Sequence, residues 1–195
     1  MAAAQSHLER GEEQEALEEY YKAALANPSD EKVVMEVVQR LVVNRQRDKA
    51  FKLLVEATKS PAAPAELHGL LAASYLEKKK PDLAKQSAEK AINKSPNSIV
   101  GYKAMMQVYR YEIQKGEQRI KQIRDVIDKA LKQKEVAAPF KIELALMMAG
   151  YLSLEKDAGK DFKPKIIELL DSAQGSKPEK PAELSQIAQA YRMAG

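Results

Sequence analysis

With 195 residues and 21.7 kDa, the chain is long enough for one compact domain or a short array of small repeats. Cysteine is absent, which excludes disulfide staples, thiolate zinc sites and cysteine nucleophiles. The net charge is a modest +4, and Ala, Leu, Glu, Lys and Gln outweigh the β-branched residues, a balance that favours helices.

The first seven residues, Met1 to His7, lack the basic start and apolar core of a signal peptide. The longest strongly apolar stretch, Leu144 to Ala149, is far below the roughly 20 residues that span a bilayer. The reading is of a soluble chain, cytoplasmic or, had a signal peptide been removed, of a bacterial periplasm. Ala3, Ala4, His7 and Leu8 read as the later turns of a first helix whose opening turn is missing.

From there a period of 34 residues organises the chain. Ala16, Ala50 and Ala84 are spaced by it, as are Ala23, Ala57 and Ala91, with Tyr20, Leu54 and Ala88 between them. His7-Leu8, Leu41-Val42 and Tyr75-Leu76 repeat in the same register, and so do Ala3-Ala4, Val37-Val38 and Leu71-Ala72. Each unit therefore holds two apolar stripes at helical spacing, split by a polar turn at Gly11, Arg45 to Asp48 and Lys78 to Asp82. Asn27-Pro28-Ser29-Asp30, Ser60-Pro61 and Ser95-Pro96-Asn97 close the units, with Pro stopping one helix and Ser or Asp available to cap the next. These are stacked helical hairpins, in which small Ala side chains allow the two helices to approach.

The fourth unit begins in register with Tyr102, Met105, Met106 and Tyr109, but its second helix is displaced. The pattern predicts a helix to near Lys115, a turn at Gly116, and an inner stripe of Ile120, Ile123, Ile127 and Ala130-Leu131. A fifth unit pairs Leu144, Met147, Met148, Tyr151 and Leu152 with Ile166, Leu170 and Ala173, joined by a segment from Gly159 to Pro164. After a loop from Gly175 to Pro181, a last helix carries Leu184, Ile187, Ala188 and Tyr191. The expected organisation is one array over 1–195, with units at 1–28, 29–62, 63–96, an elongated 97–138, 139–175, and a final helix 181–195. The final helix reads either as a cap or as the point where a longer protein has been cut.

At these residues the chain resembles the tetratricopeptide repeat family. His68 and Tyr102 stand in the slot where that family has Trp, Tyr75 and Tyr109 in its Tyr slot, and Gly11 at its turn Gly, which Arg45 and Lys79 replace further on. The resemblance implies an all-α fold, a right-handed superhelical solenoid of stacked antiparallel hairpins. It also implies that the first helix of each hairpin lines a concave groove for a peptide or helix of a partner protein. Carried over residue by residue, that lining is Met35, Gln39, Val43, Gly69, Ala73, Lys103, Gln107, Arg110 and Tyr111. The Lys and Asn slots with which some members grip a chaperone's C-terminal carboxylate hold other residues here.

Nothing in the sequence points to catalysis. His7 and His68 fall on core positions, phosphate-cradling and nucleophile-elbow glycine motifs are missing, and carboxylate pairs such as Glu12-Glu13 and Glu18-Glu19 sit at turns or outward positions. No enzyme, cofactor or metal is expected. The excess of base between Lys103 and Lys141 raises a second possibility, a nucleic-acid-binding helical repeat. Against it, Glu117/Lys121, Asp125/Lys129 and Asp128/Lys132 stand at i,i+4 with the acid first, as on a solvated helix. The leading expectation is a protein–protein interaction scaffold; the sequence does not set its oligomeric state.

Overall fold

A computed structural model describes residues 2–155, 159–174 and 181–194. Among them are eleven helices and no strand: α1 (Ala2–Glu9), α2 (Glu13–Ala26), α3 (Glu31–Val43), α4 (Arg47–Ala57), α5 (Ala65–Glu77), α6 (Pro81–Lys94), α7 (Ile99–Gln114), α8 (Ile120–Leu131), α9 (Ala138–Leu152), α10 (Gly159–Gln174) and α11 (Pro181–Ala194). The chain divides into two compact bodies, Met1–Ala91 and Ile92–Gly195.

In the first body, α1 packs on α2 and α3 on α4, while α2 touches α3 and α4, and α4 touches α5. The period-34 alanines Ala16, Ala50 and Ala84 are all buried, as are Leu54, Ala57, Ala88 and Ala91. Val34, Val37, Val38, Leu41, Leu53 and Leu67 join Ala16, Ala50, Leu54 and Ala57 in one apolar cluster, against which Met35 and Tyr75 pack in part. Four positions depart from expectation, the first being Ala3, which is exposed beside buried Ala4. Val42 is 47% exposed, because the stripe that faces α4 passes through Leu41 and leaves its neighbour on the far side of the helix. Ala23 is half-exposed and Ala24 is buried in its place. His7 is half-buried rather than in the core, its Nδ1 2.6 Å from a Glu12 carboxylate oxygen, whereas His68 is buried as expected.

The turns inside the hairpins share one backbone device. Gly11, Arg45, Lys79 and Gly116 all have positive φ, of 75°, 60°, 57° and 91°. Behind each, an amide reaches back five residues: Glu12 to His7, Gln46 to Leu41, Lys80 to Tyr75 and Glu117 to Glu112, at 2.8–3.1 Å. Arg45, Lys79 and Gly116 also donate to the carbonyl three residues earlier, which completes the two-bond helix terminator that favours Gly at its left-handed position. The same turn thus recurs at 11, 45 and 79, and in two of the three an L side chain carries the strain. Since both side chains are exposed, Arg45→Gly and Lys79→Gly are each expected to raise the free energy of unfolding by about 0.5–1 kcal/mol. Chemical denaturation checks this; a loss of stability would mean that the side chains, not the backbone, hold the turn.

The second body is arranged around α9, which touches α7, α8, α10 and α11 and is apolar on nearly every side. Pro139 at its first turn costs no helical hydrogen bond. As expected, α7 ends at Gln114 and α8 buries Ile123, Ile127 and Ala130; Ile120 is 36% exposed because it opens α8, before the helix reaches its neighbour. The expected joining segment from Gly159 to Pro164 is instead the start of α10, although Pro164 removes one donor from the helix ladder. The reason is Phe162, which with Ile166 forms an i,i+4 apolar pair, both fully buried. Its ring lies 5.3 Å from that of Tyr151 on α9. On α11, Ile187 and Ala190 are buried and Ala188 is exposed, a shift of the inner stripe toward the α9 contact. Of the loop expected from Gly175 to Pro181, Pro181 instead opens α11, and residues 175–180 lie outside the described residues.

Candidate functional site

The expected groove residues fall on α3 and α5 in the first body and on α7 in the second, and each body places its own set. In the first body Gln39 is exposed, Val43 is 81% exposed, and Met35 and Ala73 are half-buried. Gly69 is buried rather than exposed: it sits between Leu67, His68 and Leu71 on a part of α5 that is enclosed, where a residue with no side chain offers little surface. The depressions of this body run elsewhere. One of about 200 Å³ lies between α2 and α3, with Tyr20, Arg40 and Asn44 in its wall.

In the second body Lys103, Gln107 and Arg110 come together. With Met106 from α7 and Glu143, Leu146 and Met147 from α9, they line a depression of about 190 Å³. Helical spacing explains why: positions 103, 106, 107 and 110 share one face of α7, and 143, 146, 147 and 150 share one face of α9. The pairings Lys103 with Glu143 and Arg110 with Gly150 keep the same offset, so the two helices run in the same direction along this seam. Met106 and Met147 are buried and Leu146 half-buried, giving an apolar floor of adaptable side chains. Tyr111 lies outside this lining; it is half-buried, with the Lys115 ammonium 5.8 Å from its ring centre.

The charges at the two ends differ. At one end the Lys103 ammonium stands 2.9 Å from a Glu143 carboxylate oxygen, which also faces the Gln186 amide of α11 at 3.5 Å, so this end is neutral overall. At the other, Arg110 is exposed and, among the described residues, has no carboxylate partner. Its guanidinium rests over Gly150, where a Cβ would collide with Nη2 and lie 3.6 Å from Cζ. Neither Gly150 nor the three α9 lining residues emerge from the periodicity as groove positions. A glycine inside an apolar helix was the available signal, since it costs about 1 kcal/mol against alanine and so marks a close approach.

Three cations of the basic segment, Lys103, Arg119 and Arg124, are already paired with acids. Arg119 donates to Glu112, a buried carboxylate 2.6 Å away, and to Glu117; both acids push the guanidinium pKa up. Arg124 pairs with Asp161 at 3.1 Å and approaches Asp128 at 3.8 Å, and it too is held above its ordinary range, chiefly by Asp161. Of the three expected i,i+4 pairs none forms: Glu117 pairs with Arg119 and Asp128 with Arg124, because a guanidinium reaches two acceptors at once where an ammonium offers a single point charge. Lys121, Lys129, Lys132 and Lys134 are exposed. Three of the four carboxylates in the acidic pairs of the first body are engaged as well: Glu12 with Arg10 and His7, which hold it down at about 2, Glu18 with Lys49, and Glu19 with Lys22. Among the described residues no group of three metal-ligating side chains occurs, and no helix is long and apolar enough to cross a membrane.

Antiparallel hairpins whose turns recur every 34 residues, with small residues at the helix contact, are the architecture of the tetratricopeptide repeat, and the chain has this fold. No family model matches the chain, and no curated protein matches its sequence. Solved structures do match. MamA is 17% identical, with 90% of this chain and 98% of that one aligned at a TM-score of 0.56. The C-terminal part of a TPR repeat-containing protein from Cytophaga hutchinsonii is 14% identical over 94% of this chain and 70% of that one, at 0.56. The Pseudomonas aeruginosa protein pilF is 17% identical over 97% and 76%, at 0.53. At such identities the likeness is one of fold.

Proposed function

We propose that the protein is a protein–protein interaction scaffold that holds a segment of a partner protein in the depression between α7 and α9. The observation that carries this reading is the lining itself: an apolar floor of Met106, Leu146 and Met147 between polar ends, on α7 and α9. A site of this size takes one apolar anchor side chain and gives micromolar rather than nanomolar affinity. Met35, Gln39, Val43 and Ala73 form a separate proposed partner surface, on the first body by itself.

Selection of a random displayed peptide library against the wild-type protein and against Leu146→Glu tests it. Leu146 is half-buried, so the variant is expected to fold, which circular dichroism checks. Wild type is expected to enrich peptides with a large apolar residue, and those peptides to bind Leu146→Glu at least tenfold more weakly. Equal binding to both would remove the depression as the site. Were a duplex oligonucleotide to bind instead, with affinity that falls steeply with salt and with reversal of Lys121, Lys129 and Lys132, the basic segment would be the functional surface.

A further inference from the structure

Resting on that reading, we infer that the segment held between α7 and α9 is internal to its protein and carries an Asp or Glu side chain within about three residues of its apolar anchor, with Arg110 receiving the carboxylate. Two independent features of the site point there. The first is charge. Lys103 is neutralised by Glu143 inside the depression, so the only uncompensated charge among the lining residues is the Arg110 guanidinium. An arginine presents a planar fork of donors that a carboxylate matches bidentately.

The second is the seat. Gly150 is buried in α9, and among the described residues the side chain that a Cβ there would meet within 4 Å is that of Arg110. Alanine is the better helix former at such a position, so glycine is unfavourable for α9 alone. What glycine permits is for the guanidinium to reach the helix backbone, Nη2 first, at the rim of the depression, rather than swing out to solvent. Held there, it loses less freedom when it binds an anion.

Length and direction complete the description of the occupant. From Lys103 to Arg110 on α7, and from Glu143 to Gly150 on α9, the depression spans seven residues of helix, about 10 Å at 1.5 Å per residue. An extended chain covers that distance in about three residues. An anchor on the floor of Met106, Leu146 and Met147 therefore leaves one to three positions before the carboxylate reaches Arg110. At the far end the Lys103–Glu143 pair is already neutral and offers a donor and an acceptor to a passing backbone rather than a free charge to a chain terminus. A side-chain carboxylate fits this better than a chain terminus.

The test uses the same displayed library, with Arg110→Gln and Gly150→Ala as added baits, followed by anisotropy titrations of labelled synthetic peptides from the wild-type pool. Wild type is expected to enrich Asp or Glu within three positions of the apolar anchor, and replacing that acid by its amide to weaken binding about tenfold. On Arg110→Gln the acid preference is expected to vanish while the apolar preference stays. On Gly150→Ala it is expected to weaken even though the arginine is retained, a result that loss of charge alone would not produce. Survival of the acid preference on Arg110→Gln would overturn the proposal, as would apolar enrichment with no acid, or binding that is lost when the peptide's terminal carboxylate is amidated. In each of these cases continued sensitivity to Leu146→Glu would leave the groove itself standing, whereas insensitivity to Leu146→Glu would remove the groove and the proposal together.

Discussion

Replacing Phe162 by alanine is expected to lower the free energy of unfolding by about 3–5 kcal/mol. Phe162 is fully buried, and its ring meets three elements: Tyr151 of α9 at 5.3 Å between centroids, the Arg124 guanidinium of α8 at 5.3 Å, and Lys165 of its own helix at 5.9 Å. Truncation removes the transfer free energy of the ring and leaves a cavity that α8, α9 and α10 would have to close by moving together. It also strips Arg124 of the aromatic face it stacks on, although Asp161 continues to hold that guanidinium at 3.1 Å. Phe162→Leu keeps most of the volume and is expected to cost less than about 1.5 kcal/mol. Urea denaturation of the three proteins side by side decides the matter. A difference below 1 kcal/mol for the alanine variant would show that α10 does not depend on this contact.

A second large effect is expected in the first body. Ala50→Leu places three extra carbons at a position only 2% exposed, where α4 lies against α2, α3 and α5. The interior has no void to take them, so the helices must separate or the new side chain must leave its preferred rotamer, at a cost of about 1–3 kcal/mol. Lys52→Leu, two residues along on the exposed side of the same helix, is the control and should stay within about 0.5 kcal/mol of wild type. If thermal unfolding of Ala50→Leu matched wild type, the alanine register would not mark the helix contact.

Both predictions bear on what could be read from the chain alone, and they fall on opposite sides of the line. Ala50 was legible because a repeat states its contact three times: a small residue at 16, 50 and 84 recurs wherever two helices must approach, and all three are buried. The turns were legible for the same reason, and Arg45 and Lys79 take the left-handed backbone of Gly11 although their residue types argue against it. Phe162 was not legible as a core residue. Glycine and proline on either side of it read as a connection, yet the burial gained by an i,i+4 pair of Phe162 and Ile166 outweighs the loss of one donor at Pro164.

The groove divides likewise. Position along a helix face is a local property with a period of 3.6 residues, so the shared face of Lys103, Gln107 and Arg110 follows from α7 by itself. Whether such a face is open or covered depends on what packs beside it. That is why Gly69 is buried, why Tyr111 falls outside the depression, and why Val43 stands exposed at the end of α3.

By itself, then, the sequence determined the all-α hairpin fold, the 34-residue register, the turn positions and the small residues at helix contacts, because each of these is a short-range pattern stated more than once. Only the tertiary structure decided which acids the basic residues meet, and that Arg110 lies on Gly150 beside an apolar floor supplied by α9. Arg124 and Asp161 stand 37 residues apart, and Arg110 and Gly150 lie on different helices, so no local pattern links them; packing in three dimensions brings them within reach.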